Sequence, residues 1–376
     1  MSDTELIDRL RLIRSENVGP VTFSHLMRRF GTATRALAAL PELARRGGRA
    51  KTPRIAARED AERELAAARK LDARMLAWDE ADYPRPLGSI DGAPPLIYVR
   101  GDAGLLARRV VAVVGARNAS ASGVRFARGL AAELARAGLL VVSGLARGID
   151  GAAHHGALDA GASAGGTVAV VAGGVDQAYP PEHQSLYEKI LSSGAGAIVS
   201  EQPPGLVAQS RDFPKRNRLI AGLSLGVVVV EAAMRSGSLI TARLANEQGR
   251  EVFAVPGSPL DPRCRGANDL IRQGATLTES AADILNVLSV QSAQRPRAAG
   301  DAQAIESERE TAPAPDDAAI ENARARVLSA LGPTPVEVDE IVRQCQLSAP
   351  VVQAALLELE LAGRLQRHSG SRVSLD

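Results

Sequence analysis

The stretch RDFPKRNRLIAGLSLGVVVVEA, residues 211–232, brings several positive charges to the edge of a predicted core strand. Lys215, Arg216 and Arg218 lie within four residues of one another, with Asn217 among them. Guanidinium and ammonium groups bind the oxygens of phosphates and carboxylates. The cluster therefore predicts an anion-binding site.

The same stretch also offers a nucleophile, because Gly222-Leu223-Ser224-Leu225-Gly226 matches the G-x-S-x-G pattern of serine hydrolases. In those enzymes a strand precedes the serine and a helix follows it, so that the turn exposes the hydroxyl. Around Ser224 a predicted helix comes first and the valine run 227–230 comes second. This reversed order disfavours acyl hydrolysis.

Two further arginines follow predicted strands, Arg117 in GARNAS (115–120) and Arg147 in SGLARG (143–148). The carboxyl ends of parallel strands meet at one edge of a sheet, so we expect both arginines to converge with the basic cluster. Glycines at the helix starts are expected to add free backbone amides for an anion. The predicted phosphate-binding residues are Gly115, Arg117, Ser143, Gly144, Arg147, Lys215, Arg216, Asn217 and Arg218.

Cofactor and metal chemistry is poorly supported by these loops. A dinucleotide fingerprint, G-x-G-x-x-G, needs a second glycine where Arg117 stands, and Arg147 lies where an acid would bind the ribose. The adjacent His154 and His155 point in different directions on a helix, and His183 stands alone, so no metal site is expected. We predict neither a cofactor nor a catalytic residue.

Composition limits the partners. The 376 residues carry a formal net charge of +2 and are 45% hydrophobic, which allows two or three domains with substantial cores. Residues 101–283 contain 18 Lys and Arg against 16 Asp and Glu, so any nucleic-acid site must be a local concentration of charge. Cys264 and Cys345 lie in different predicted domains, and no leader or membrane-spanning run is evident, so we expect a cytoplasmic protein.

The positioning elements are valine-rich runs separated by amphipathic helical stretches. Strands are predicted at 110–114, 139–142, 168–171, 197–199, 227–230 and 252–255. Strands without polar alternation that are separated by helices indicate a parallel sheet covered on both faces. The predicted fold class is therefore α/β, with a Rossmann-like doubly wound parallel sheet over residues 96–290.

The remaining chain predicts two smaller domains. Residues 1–77 look helical and resemble the helix-hairpin-helix elements of SAM-like DNA-repair domains, although the pattern favours a small, purely structural helical domain. An ordered connector is expected over 78–95 and a flexible linker over 291–317. Residues 318–376 resemble a winged helix, but the third helix carries Glu358 and Glu360 and no Lys or Arg, which disfavours duplex reading. Arg364, Arg367 and Arg372 leave a phosphate contact open for the wing.

Five ordered motifs together resemble the DprA/Smf family of DNA-processing proteins: VVGARNAS (113–120), SGLARGIDGAAHHGAL (143–158), FPKRNRLIAGLS (213–224), GSLITARLANEQGREVFAVPG (237–257) and GANDLI (266–271). The resemblance implies a non-enzymatic protein that binds single-stranded DNA, protects it during natural transformation and loads the recombinase RecA, as a homodimer through the Rossmann-like domain. It also implies that Arg117, Arg147 and the Arg216-Asn217-Arg218 segment form the DNA pocket. Phe213 is a candidate ring for stacking on bases, with packing in the core as its other role.

Two alternatives stay open. A nucleotide phosphoribohydrolase of the lysine-decarboxylase-like type would carry P-G-G-x-G-T-x-x-E, but the comparable residues 232–241 read AAMRSGSLIT and lack the double glycine and the acid. A pure adaptor that binds partners through its terminal domains is the third class.

Overall fold

The computed structural model describes residues 1–294, 317–368 and 370–375. Contacts divide the chain into two compact units, Met1–Leu65 with Pro296–Asp376 and, second, Ala66–Arg295. We call them the terminal unit and the central unit and describe each by itself. Residues 295–316 of the predicted linker lie outside the described residues.

The central unit alternates strands and helices. Its strands are β1 (Ala73–Ala77), β2 (Leu96–Gly101), β3 (Val110–Gly115), β4 (Leu140–Ser143), β5 (Thr167–Val170), β6 (Gly196–Ser200), β7 (Gly226–Val230), β8 (Glu251–Ala254) and β9 (Thr276–Leu277). Its helices are α5 (Arg85–Gly88), α6 (Ala121–Arg136), α7 (Ile149–Asp159), α8 (Gln184–Ser192), α9 (Asp212–Leu223), α10 (Gly237–Glu247), α11 (Arg265–Arg272) and α12 (Ala281–Gln294), with 3₁₀ turns at Ala103–Ala107 and Pro181–His183.

The nine strands form one sheet in the order β1-β2-β6-β5-β4-β3-β7-β8-β9. All pairs from β6 to β9 are parallel, and β2 joins β6 and β1 in antiparallel fashion. The chain runs outward from β3 in both directions, so the predicted doubly wound α/β fold is confirmed. Three strands of this sheet, β1, β2 and β9, were not predicted, and β1 shows that the expectation of a helical segment over residues 1–77 was wrong at its end.

The alternation of side chains along the central strand explains why both faces are covered. Val111 and Val113 point into a core with α6, α7 and α12, whereas Val110 and Val114 point into a second core with α9 and α10. Successive side chains of a strand face opposite sides of a sheet, so a strand buried on both sides must be apolar throughout.

The terminal unit contains helices from both ends of the chain. Its amino-terminal part holds α1 (Asp3–Arg14), α2 (Pro20–Phe30), α3 (Ala33–Arg46) and the start of α4 (Arg58–Lys70). Its carboxyl-terminal part holds α13 (Asp317–Ala330), β10 (Val336–Glu337), α14 (Val338–Cys345), α15 (Ala349–Leu361), β11 (Leu365–His368) and β12 (Arg372–Leu375). The strands form a small sheet, β10-β12-β11, which gives the predicted winged helix.

Among the described residues, no helix is both long and apolar enough to cross a membrane.

Candidate nucleic-acid interface

A cleft opens beyond the carboxyl ends of β3, β4 and β5, beside the start of α9. Its volume is about 190 Å³, several times the ≈ 30 Å³ share of one liquid water, so it can admit part of a larger ligand. The cleft is lined by Arg117, Gly144, Ala146, Arg147, Tyr179, Pro180, Pro181, Glu182, Phe213 and Arg216. Three separate loops therefore meet here, as the parallel order of the strands requires.

Arg117 and Arg147 are the exposed cations of the cleft. The Arg147 side chain is 64% exposed and lies 4.0 Å from a carboxylate oxygen of Glu182, which is 62% exposed. Such a solvated ion pair is worth little, so it does not withdraw Arg147 from an incoming anion. Both arginines are placed where they can bind phosphate oxygens.

An aromatic face lines the same cleft. The rings of Phe213 and Tyr179 have centroids 5.1 Å apart and are tilted by 51°. The guanidinium of Arg117 lies 5.4 Å from the centroid of Phe213, within cation–π distance. Tyr179 is 46% exposed, so part of its surface is free to stack. The sequence reasoning missed Tyr179, although the rule that ligands sit after strand ends would have led to it through the loop that follows β5.

Arg216 forms the floor of the cleft. It is only 6% exposed, and one guanidinium nitrogen donates to the carbonyl oxygens of Gly144, at 2.6 Å, and Val170. Burial lowers the pKa of Arg216 to about 10, although the nearby Asp150 opposes this shift. One guanidinium nitrogen is thus held by the backbone, while the buried Nε of Arg216 has no hydrogen-bond partner among the described residues. Arg216 therefore shapes the cleft from below, while Arg117 and Arg147 remain open to ligand.

The expected nest of free amides is occupied from within the chain. A carboxylate oxygen of Asp150 accepts from the amide nitrogens of Gly144, at 3.1 Å, and Ala146, at 3.4 Å. Burial raises the pKa of Asp150, whereas Arg216 and the amide donors, Gly115 among them, act in the opposite direction. These amides thus already donate to an internal carboxyl group, and a phosphate in the cleft would be bound by side chains.

The two glycines and the serine predicted for the site serve packing in the structure. A Cβ at Gly144 would lie 2.4 Å from the Arg216 guanidinium, and one at Gly115 would lie 1.9 Å from the carbonyl oxygen of Val230. Ser143 is fully buried, and its hydroxyl donates to the carbonyl oxygen of Val113. These three positions allow the loops to approach one another.

The other members of the basic cluster separate along α9. Lys215 is exposed, and the Asn217 amide donates to the carbonyl oxygen of Gly237 at 3.4 Å. Arg218 turns away to pair with Glu201 and to donate to the carbonyl oxygen of Gly92 at 2.8 Å. The structure therefore leaves Lys215 exposed on α9, next in sequence to the lining residue Arg216, although it does not itself line the cleft, and commits Arg218 elsewhere.

The loop that carries Arg117 is held by an acid at the end of β7. The carboxylate of Glu231 accepts from the Ser120 amide at 2.8 Å and from the Ser120 hydroxyl, and Ser120 in turn caps α6 by accepting from the Gly123 amide. Glu231 adopts a left-handed conformation with φ of 51°, which is unusual for a residue with a side chain. Sequence reasoning did not identify this positioning residue.

The disfavoured chemistries find no support at their residues. Ser224 is fully buried between α9 and β7 and donates to the carbonyl oxygen of Ile220, so it is no exposed nucleophile. His154 is fully buried against the hydroxyl of Thr167, at 2.8 Å, and burial lowers its pKa to about 3. Across the described ranges no cluster of three His, Cys, Asp or Glu could hold a metal ion.

Comparison with known proteins places these features in one family. The family model for DNA recombination-mediator protein A matches residues 74–289, the model for a DprA-like N-terminal HHH domain matches 3–67, and the DprA winged helix domain matches 309–371. Protein Smf from Escherichia coli (strain K12) is 38% identical over 301 residues, covering 80% of this chain and 77% of that protein. DNA processing protein DprA from Bacillus subtilis (strain 168) is 42% identical over 233 residues, covering 62% and 77%.

Solved structures agree with the sequence relatives. DNA processing protein A from Streptococcus pneumoniae superposes with a TM-score of 0.63 at 34% identity, over 76% of this chain and 98% of that one. The Helicobacter pylori protein, whose structure concerns its single-stranded DNA binding mode, gives 0.52 at 28% identity, over 59% and 97%. These matches confirm the predicted resemblance to DprA/Smf, and the chain belongs to the DNA recombination-mediator protein A family.

Proposed function

We propose that this protein binds single-stranded DNA in the cleft at the carboxyl edge of its central sheet. Arg117, Arg147 and Lys215 bind the phosphates, and the rings of Phe213 and Tyr179 stack on bases. The observation that carries the proposal is the combination of a cation with two neighbouring rings. The Arg117 guanidinium lies 5.4 Å from the centroid of the Phe213 ring, and that centroid lies 5.1 Å from the centroid of the Tyr179 ring. Cations that follow the backbone and rings that face the bases are the two parts of a single-strand site.

The arrangement favours unpaired DNA of any sequence. Only unpaired bases offer their faces to aromatic side chains, and stacking tolerates all four bases because each has a π-face. The backbone amides of the β4–α7 loop are engaged by Asp150. Affinity then depends on charged side chains and should decrease steeply with salt.

The wider role follows from the family. We propose that the protein protects incoming single strands in natural transformation and recombination and promotes the loading of RecA onto them, as a homodimer through the Rossmann-like domain. This places it in the cytoplasm and makes it a binding protein with no reaction of its own. Relatives of this chain carry the names DNA processing protein and Smf, and the Helicobacter pylori protein is described by its single-stranded DNA binding.

The cleft is tested by replacing its two open cations. Arg117→Ala combined with Arg147→Ala should weaken the binding of fluorescent oligo-dT by about a hundredfold or more, because each of the two charge-assisted contacts contributes about 1.5–3 kcal/mol. Arg136→Ala is the matched control, since Arg136 is exposed in the last turn of α6, which runs away from the cleft edge. Equal affinities of the double variant and the wild type would reject the site.

The mediator role and the assembly need separate measurements. RecA nucleation on oligo-dT should be faster with the wild type than with the double variant, and light scattering should give twice the 39.3 kDa chain mass. Nucleation rates that do not respond to the wild-type protein would reject RecA loading, and a chain-mass particle would reject the homodimer.

The phosphoribohydrolase alternative gains no favourable observation. The acid that directly precedes residues 232–241 in the sequence, Glu231, is hydrogen-bonded to Ser120 and stabilises the loop that carries Arg117. Incubation with nucleoside monophosphates should release no free base, as measured by chromatography. Release that depends on Glu231 would restore the alternative.

A further inference from the structure

The third helix of the winged helix, α15, is apolar on two faces. Leu356 and Leu359 lie in the core of the winged helix itself, whereas Leu357 and Leu361 lie in the core formed by α1, α2 and α3. A helix with two apolar faces needs a packing partner on each of them. In DNA-reading winged helices this helix must present a free face to the major groove. The second face of α15 is instead covered by the amino-terminal helices.

The backbones of α15 and α3 are in direct contact. Gly47 follows α3, and a Cβ built there would lie 2.0 Å from the carbonyl oxygen of Glu358 and 2.8 Å from the Cβ of Ala362. Gly47 has an ordinary helical φ of −66°, so its conformation does not require glycine. Its lack of a side chain is needed for the close approach of α15.

The turn of the amino-terminal helical hairpin is used in the same contact. The side-chain amide of Asn17, between α1 and α2, donates to the carbonyl oxygen of Leu361 at 3.2 Å. A Cβ at Gly363 would lie 3.1 Å from that amide nitrogen. The turn of the predicted helix-hairpin-helix element thus hydrogen-bonds to the carboxyl end of α15.

The charges across the contact are complementary. Glu358 is fully buried, and its carboxylate accepts from Arg324 of α13 at 2.8 Å. Burial raises the pKa of Glu358, while Arg324 and, across the contact, Arg46 and Arg29 favour its charged form. On the wing, Arg367 pairs with Glu360 at 2.7 Å. The acids that disfavoured duplex reading are therefore paired with arginines of the winged helix itself, and Glu358 in addition senses the positive charge of Arg46 and Arg29 across the contact.

We propose that α15 is a docking helix whose binding partner is the amino-terminal helical domain of the same chain, and that the winged helix does not read duplex DNA. The two terminal domains then act as one module, in which the hairpin turn and the third helix cover each other. This inference concerns the terminal unit and does not depend on the cleft of the central unit.

Hydrogen exchange of the full chain tests the docking through one added methyl group. Gly47→Ala should increase exchange by about tenfold or more in peptides that contain residues 15–19, 43–49 and 357–363, because these segments lose their cover. Peptides of α13, which belongs to the separate winged-helix core, should keep their exchange rates. Gly332→Ala is the control, since a Cβ at Gly332 meets nothing within 4 Å.

A second variant keeps the test decisive. Leu361→Glu should give the same pattern of exchange, because Leu361 belongs to the amino-terminal core and not to that of the winged helix. If neither variant changes exchange in these segments, the docking is overturned. The wild type is also measured at several concentrations. If the protection of these segments is lost on dilution, the partner of α15 is a second copy of the chain, which would also overturn the assignment to the same chain.

The last experiment measures the binding of duplex DNA by a variant of α15. Gln353 is exposed on α15, so Gln353→Glu should leave the affinity for a duplex oligonucleotide unchanged within about twofold. A loss of about tenfold or more would show that α15 contacts duplex DNA and would overturn the proposal.

Discussion

Tyr179 allows the stacking part of the proposed site to be separated from its electrostatic part. The ring is 46% exposed and its centroid lies 5.1 Å from that of Phe213, so Tyr179→Ala removes an aromatic surface without removing a cation. Stacking on one base contributes about 1–3 kcal/mol, and the variant should bind oligo-dT about 5- to 150-fold more weakly. The slope of log affinity against log salt should not change, because no phosphate contact is lost.

The assay is fluorescence anisotropy with oligo-dT at several salt concentrations, with Tyr179→Phe as the matched control. The phenylalanine keeps the ring and should bind within about twofold of the wild type, since it loses one exposed hydroxyl and no stacking surface. If Tyr179→Ala binds as the wild type does, the ring does not stack on DNA. If its salt slope decreases, the variant has disturbed the cations, and the separation of the two parts is incorrect.

Three further outcomes follow from the central unit. Arg218→Ala should leave oligo-dT affinity within about twofold while lowering the urea midpoint, because Arg218 pairs with Glu201 and with the backbone of Gly92; a selective loss of affinity would return Arg218 to the site. Burial, with smaller contributions from His183, His155 and Arg216, lowers the pKa of His154 from 6.5 to about 3. Between these two pH values the imidazole is protonated in the unfolded chain and neutral in the folded chain. The contribution of neutral His154 to the free energy of unfolding is fully present above pH 6.5 and decreases by about 1.4 kcal/mol per pH unit as the pH falls toward 3. His154→Gln should remove this pH dependence, as measured by urea unfolding with Trp78 fluorescence. An unchanged pH dependence would contradict the buried neutral imidazole. Gly129→Ala on α6 should stabilise the protein by about 0.5–1 kcal/mol, since an added Cβ meets nothing within 4 Å, whereas a decrease in the urea midpoint would contradict the open space at that position.

In the central unit, the strands that are buried on both faces of the sheet were predictable, because burial restricts them to apolar residues. Six strands from β3 to β8 were predicted because a strand covered on both faces must be apolar, as Val110 to Val114 are. The strand β1 was missed because Ala73–Ala77 includes an exposed arginine and continues a helical pattern. The two-residue β9 carries too few side chains for any pattern to be read.

The site was predictable in its location and less so in its details. The rule of strand ends found Arg117 and Arg147, but charge alone could not show which cations point outward. Helical spacing would have helped, since Arg216 lies three, four and seven residues before the buried Leu219, Ile220 and Leu223, and therefore on the inner face of α9. The internal hydrogen-bond acceptor, Asp150, could not be foreseen, because its role depends on the distance between its carboxyl group and two loop amides.

The most direct test of the proposed function is the salt dependence of oligo-dT binding by Arg117→Ala combined with Arg147→Ala. For single strands, each neutralised phosphate contributes about 0.7 to the slope of log affinity against log salt, so the double variant should show a slope smaller by about 1.4 than the wild type. Arg136→Ala should retain the wild-type slope. A double variant with the full wild-type slope would mean that these two arginines do not bind phosphates, and the cleft would lose its assignment as the single-strand site.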